Sequence, residues 1–224
     1  MAPIVSVSAV CLALVLSFVG CASVSVKQGA TYAVPQMPQQ IFVEGFDTTQ
    51  GEWNVDRQGP DLADFQQNLQ TMLATGTASD LTNKLAPASI TSSAQALPAQ
   101  NAWVIRGEFV RVNQGSRALR AFVGFGAGRT TLQTVVHVYD LQAGYNGMPF
   151  MSFATTGGSG AMPGAVESIG PIGAVIKGVA GSAKGLTQDA ARTSREITAQ
   201  ISEYMYKSGW ITQAQYISPK TMGD

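Results

Sequence analysis

The chain has 224 residues, and its 14 Lys+Arg against 14 Asp+Glu leave it without formal net charge. Only 12% of its residues are charged, against about 25% in ordinary globular chains, so the basic excess of a nucleic-acid binder is missing. A hydrophobic share of 45% with no net charge excludes disorder over most of the length, and the size fits one domain with appendages.

No Asp, Glu, Lys or Arg precedes Lys27. Ile4 to Val19 is an apolar run broken only by Ser6, Ser8 and Ser17. That is the length of a signal-peptide core, and short of the ~20 apolar residues of a free-standing membrane span. Phe18-Val19-Gly20-Cys21 closes the run. Small residues just before a cysteine at this distance from Met1 resemble the lipobox of bacterial lipoproteins. Two features differ from that pattern: Phe18 stands where leucine is commonest, and no Lys or Arg lies ahead of the run. The resemblance implies cleavage between Gly20 and Cys21 and acylation of the Cys21 thiol. The attached chains would then hold the domain on a bilayer at about 0.8 kcal/mol per buried methylene. Ala22 replaces the aspartate that commonly retains lipoproteins in the inner membrane. The implied location is therefore the outer membrane, with the domain in the periplasm. An uncleaved N-terminal anchor helix is the alternative. With Cys11 in the removed part and Cys21 acylated, the mature domain has no thiol and no disulfide.

Residues 1–20 are thus expected to be a signal peptide and 21–40 a Pro- and Gln-bearing extended tether. Ile41 to Phe46 reads as a short strand, followed by a polar loop from Thr48 to Pro60. Asp61 is the expected N-cap of a helix with Leu62, Phe65, Leu69 and Met72/Leu73 at helical spacing, ended or bent at Gly76. Ser79 to Leu85 adds a turn or two, and Ala86 to Gln100 reads as a loop. Ala102 to Val112 alternates, with Trp103, Ile105, Gly107 and Phe109 on one face and Val104, Arg106, Glu108 and Val110 on the other. Arg117 to Phe125 is the expected return strand. Thr131 to Leu141 is the clearest strand, with Leu132, Thr134, Val136 and Val138 opposed to Gln133, Val135, His137 and Tyr139, and Phe150 to Thr155 follows it. The segment from Gly157 to Gly185 holds nine of the chain's 24 glycines and reads as an excursion from the domain. Thr187 caps a last helix to about Lys207, with Ala190, Ile197, Ile201, Tyr204 and Met205 as its apolar stripe and Gly209 as its stop. The order β-α-β-β-β-α predicts an α+β domain over 41–217: a three- to four-stranded, mostly antiparallel sheet with two helices packed on it. Residues 218–224 form a tail.

The candidate chemistry is thin. His137 is the only histidine, and no cysteine or second histidine completes a transition-metal site. A mid-strand histidine of this kind reads as structural, and Asp140 is too near in sequence to orient it as a triad would. Gly157-Gly158-Ser159-Gly160-Ala161 fails the nucleophile-elbow pattern at its last position. Gly124-Phe125-Gly126-Ala127-Gly128-Arg129 lacks the third glycine of a dinucleotide fingerprint, and a strand follows it instead of a helix. Gly178 to Lys184 misses phosphate-loop spacing. The acids Glu44, Asp47, Glu52, Asp56, Asp61 and Asp64 read as a solvated face, with a glycan hydrolase using Glu52, Asp56 and Asp61 as the minor alternative. No catalytic residue, metal or cofactor is expected. Arg106, Arg111, Arg117, Arg120 and Arg129 face a single Glu108 between Asn101 and Thr130. They are the candidate contacts for anionic headgroups or an acidic partner, with an ordinary wet sheet face as the alternative.

Trp103 to Phe109, Gly115 to Arg120, Gly124 to Gly128 and the Val135–Asp140 strand resemble an uncharacterised family of bacterial lipoproteins labelled only as a domain of unknown function. The similarity spans about Ile41 to Gly209. More distantly, the element order is similar to the periplasmic domain of the curli-secretion channel lipoprotein CsgG. These resemblances imply a non-enzymatic binding or assembly module, held at the outer membrane through acylated Cys21. Its partner would be a protein or an envelope component, with homo-oligomers and an oligomeric secretion channel as the alternative, and no nucleic acid is implied.

Overall fold

A computed structural model describes residues 23–28, 34, 36–115, 130–142, 148–158 and 184–220. The expected signal peptide, Gly20 and Cys21, the 117–125 strand, Arg117, Arg120 and Arg129, and nearly all of the glycine-rich excursion lie outside these residues. The strands are β1 (Ser23–Gln28), β2 (Gln40–Glu44), β3 (Glu52–Asn54), β4 (Ala88–Thr91), β5 (Ala102–Asn113), β6 (Thr131–Asp140) and β7 (Met151–Gly158). The helices are α1 (Gly59–Lys84) and α2 (Lys184–Lys207). One sheet takes in all seven strands in the order β1-β7-β6-β5-β2-β4, with β3 added alongside β5.

The α+β class is the one expected, and the sheet is wider than three to four strands. β5, β6 and β7 form the antiparallel meander. β2 runs parallel to both β4 and β5, and β3 is parallel to β5. β3 and β4 fall in stretches read as loops, because Glu-Trp-Asn and Ala-Ser-Ile-Thr are too short for alternation to show. β1 falls in the stretch read as a tether and pairs antiparallel with β7. Val34 also lies against the domain, its backbone N–H donating to the Tyr204 hydroxyl at 3.2 Å.

α1 begins at Gly59 with Pro60 in its first turn, and Gln58 stands at the cap without a side-chain hydrogen bond. Asp61 is therefore a first-turn carboxylate facing the positive helix end, not the cap. The helix also continues through Gly76, which is buried with Ala74 and Ala78. Glycine costs about 1 kcal/mol against alanine in a helix, and the helix is held here by burial and by α2, whose Ser194 hydroxyl donates to Asp80 Oδ2 at 2.8 Å. α2 ends as expected. Gly209 takes φ +75, its N–H reaches the Tyr206 carbonyl, and the Trp210 N–H reaches that of Met205, which together close a Schellman cap.

Both helices cover one face of the sheet over a core that includes Ile41, Val43, Ile105, Leu132, Val136 and Phe153. Two aromatic nests anchor it. Trp103 lies 4.9 Å from Phe150, 5.8 Å from Tyr204 and 5.9 Å from Trp210, between ring centroids. Phe109 lies 5.9 Å from Phe46 and 5.4 Å from Trp53. Phe46 reaches its place because Gly107 has no side chain: a Cβ there would run into the Phe46 ring. Since Phe46 is fully buried, the ring has no free space to swing into. Gly107→Ala should therefore cost about 1–3 kcal/mol of stability as an overpacking change. Urea unfolding checks this, and an unchanged midpoint would contradict the packing.

α2 is submerged far beyond its apolar stripe, with Asp189, Thr193, Ser194, Glu196, Thr198 and Ser202 all buried. Asp189 Oδ2 accepts from Thr130 Oγ1 at 2.5 Å, while Oδ1 lacks a hydrogen bond and has Arg192 Nη1 3.5 Å away. Burial pushes this carboxyl from 3.8 up to about 6, against the pull of Thr130 and then of Arg192. The folded state thus holds the proton more tightly than the unfolded chain. Its contribution is complete below pH 3.8 and is lost as pH rises through about 6. The loss amounts to about 3 kcal/mol. Asp189→Asn should raise the thermal midpoint at pH 7.5 and flatten its dependence between about pH 4 and 6; equal midpoints at both ends would refute the assignment.

Candidate binding face

Among the described residues, no helix lies on the other sheet face. Register puts Val104 beside Tyr139, Arg106 beside His137 and Glu108 beside Val135 on β5 and β6. It then puts His137 beside Ser152 and Gln133 beside Thr156 on β6 and β7. One end is closed by a small apolar cluster of Ala102, Val104, Tyr139 and Leu141, with Phe42 and Leu97 packed on it. The rest of the face is polar.

A bulge between Phe109 and Arg111 reshapes it. Strict alternation would put Arg111 on the core side with Phe109. The extra residue, Val110, instead sets Arg111 opposite Gln133 and returns Val112 to the core. Arg106 and Arg111 thus share the open face, and each meets a glutamate from the neighbouring edge. Arg106 Nε donates to Glu44 Oε2 at 2.6 Å, with the Glu44 side chain 8% exposed. Arg111 Nη2 lies 2.8 Å from Glu52 Oε2 with both side chains more than half exposed, a pair contributing only about 0–1 kcal/mol. Glu44 and Glu52 are the partners the sequence did not identify. Glu44 was readable in principle, since Ile41 and Val43 point inward and Glu44 alternates with them.

His137 Nδ1 and Ser152 Oγ are 2.8 Å apart, a contact that sequence separation hid. It is the ring's one hydrogen bond among the described residues. Asp140 pairs across from Trp103, on the opposite face, and accepts from the Gln142 N–H at 3.0 Å. The Ser152–His137 pair thus has no Asp140 behind it, and the arrangement is not that of a hydrolytic triad. Of the acids considered for glycan hydrolysis, Glu52 is in an ion pair on β3 and Asp61 is in the first turn of α1. Among the described residues no group of three or more His, Cys, Asp or Glu could hold a metal ion, and no helix is long and apolar enough to cross a membrane.

The row is electrically coupled. Burial holds the His137 imidazole below its ordinary 6.5, Glu108 raises it and Arg106 lowers it. Burial also pushes the Tyr139 phenol up. The face therefore presents a neutral imidazole at pH 7. In an NMR titration of the His137 ring protons, Arg106→Gln should move the midpoint up and Glu108→Gln should move it down. A midpoint indifferent to both changes would dissolve the row as a unit.

Proteins of known structure are similar to the chain at a low level. A PelC dodecamer from Paraburkholderia phytofirmans is 11% identical, with a TM-score of 0.38, covering 78% of this chain and 98% of that one. Protein XCC0632 from Xanthomonas campestris, described under DUF330, is 11% identical, with a TM-score of 0.43 and coverage of 85% and 98%. No curated protein matches the sequence. A family model does match residues 41–175, from the first inward residue of β2 into the glycine-rich stretch. On that match the chain belongs to the family described as the domain of unknown function DUF4410.

Proposed function

We propose that this chain is a non-enzymatic binding or assembly module of the bacterial envelope, anchored by acylated Cys21 with its domain in the periplasm. One observation carries the binding half: among the described residues, the sheet face away from α1 and α2 is not covered by a helix and presents two Arg–Glu ion pairs and a Ser–His contact. Such a face suits recognition, because Arg106 is held by the nearly buried Glu44 and needs little ordering on binding. The anchor half rests on Phe18 to Cys21 and on the uncharged run before it.

Metabolic labelling with palmitate tests the anchor. Label should enter the full chain and vanish in Cys21→Ala, which should also leave the membrane fraction; label that persists would exclude the anchor. The native mass of the same preparation in mild detergent then separates a closed ring from a monomeric or dimeric tethered module.

A further inference from the structure

Where β4 ends beside β2, the surface opens into a groove of about 460 Å³, within the range of ligand sites. One wall is α1, with Gln67, Gln70 and Thr71; the other is the end of β4 and the loop after it, with Thr91, Ser92 and Ser93. A second cavity of about 310 Å³ continues between α1 and β4 and shares Ile90 with the first. The two form one trough along the sheet edge.

The trough is lined by amides, hydroxyls and small apolar side chains without net charge, and the sequence explains why. No charged residue occurs between Asp64 and Asp80 on α1, or between Lys84 and Arg106 on the segment opposite. Exposed helix surfaces normally carry Lys and Glu, so several turns of amides and hydroxyls alone are a departure from the usual pattern. The charges lining the groove are Glu44 and Arg106, which neutralise each other at 2.6 Å. Gly45 shapes the floor: a Cβ there would meet Gln70 Nε2 at 2.5 Å, so the glycine lets that amide lie against the backbone. Among the described residues, the side chains of Gln67, Gln70, Thr71 and Ser92 make no hydrogen bond within the chain. Amides and hydroxyls each offer both donors and acceptors.

We infer that this trough binds a neutral saccharide chain. Paired sugar hydroxyls need neighbouring donors and acceptors and no net charge, which the walls supply. Ile90, half exposed between the two cavities, offers an apolar surface to the C–H face of a sugar ring. An added peptide strand fits less well. The Ala88 backbone N–H and carbonyl on β4 are already bonded to Thr82 Oγ1 at 3.0 and 3.1 Å, and the wall has one exposed apolar anchor instead of a series. The inference concerns a surface other than the sheet face of the binding reading, goes beyond that reading, and does not depend on the lipid anchor.

The test uses the full chain in a detergent without sugar headgroups, titrated by calorimetry and by saturation-transfer NMR. The probes are maltohexaose, cellohexaose and the N-acetylglucosamine tetramer, with polygalacturonate oligomers and a Ser/Ala hexapeptide as contrasts. At least one neutral oligosaccharide should bind. The double change Gln67→Ala with Gln70→Ala should weaken it at least 10-fold, Ser92→Tyr should block the groove, and Lys207→Gln on α2, which lines neither cavity, should leave it unchanged. Thermal midpoints confirm that the variants fold. Absence of binding by every neutral probe, preference for the acidic oligomers or the peptide, or affinity indifferent to the double change would each overturn the proposal. Palmitate labelling at Cys21 is unaffected by any of these outcomes, so the two readings fail separately.

Discussion

β5 must serve two faces at once, and the rest of the sheet is registered against it. Over 12 residues it offers Trp103, Ile105 and Phe109 to the helices and Val104, Arg106 and Glu108 to the open side. It pairs with β2 and β3 along one edge and with β6 along the other. A slip of one residue would put Arg106 under α1 and Trp103 into water, so the apolar row fixes the register of the polar row. The ion pair to Glu44 and the approach of His137 to Ser152 then follow from register alone. The bulge at Val110 belongs to the same constraint: without it Arg111 and Val112 would exchange faces, and the β3 pairing that brings Glu52 to Arg111 would lose its partner.

The second constraint is α2, which is buried around most of its circumference although its apolar stripe covers only one side. Its polar groups are largely satisfied by what wraps it. Thr198 donates back to the Ser194 carbonyl, Ser202 accepts from the Ile217 N–H and Glu196 from the Lys220 N–H. The chain after Gly209 therefore lies along the helix as a hydrogen-bonded strap. The exceptions are the Thr187 and Thr193 hydroxyls and Asp189 Oδ1, and the upward shift of Asp189 follows from a buried carboxylate with one oxygen lacking a hydrogen bond.

Elements with strong periodicity were legible in the sequence. β5, β6, β7 and α2 appear within about three residues of where alternation and helical spacing put them, and so does the Gly209 stop. What escaped is short or set by partners distant in the chain. β3 and β4 have three and four residues, too few to carry a period. Gly76 reads as a breaker on propensity, and tertiary burial overrode it. The site divides in the same way. Arg106 and Arg111 were identifiable as residues, but Glu44, Glu52 and Ser152 lie from dozens of residues upstream to well downstream. The bulge that brings Arg111 to the open face has no signature in a stretch reading Phe-Val-Arg-Val. A local excess of positive charge in sequence is thus a weak guide to surface charge when parallel neighbours can supply the acids.

The Glu44–Arg106 pair lies at the junction of two surfaces, the open sheet face and the trough beside α1. Its position follows from topology. β2 is the last strand between β5 and the edge strand β4, so an outward side chain at its end is reached both from the face and from the trough. Glu44 is nearly buried while Arg106 remains 41% exposed, so the acid acts as the fixed element and the guanidinium as the accessible one. Removing Arg106 would leave a buried carboxylate without its ion-pair partner, which costs more than the contact itself contributes. Loss of function on that change would therefore not separate the two surfaces. Residues belonging to one surface alone do separate them: Arg111 and His137 for the face, Gln67 and Gln70 for the trough. The fold thus keeps two polar surfaces apart except at a single neutralised pair, an arrangement in which each can be altered without disturbing the charge of the other.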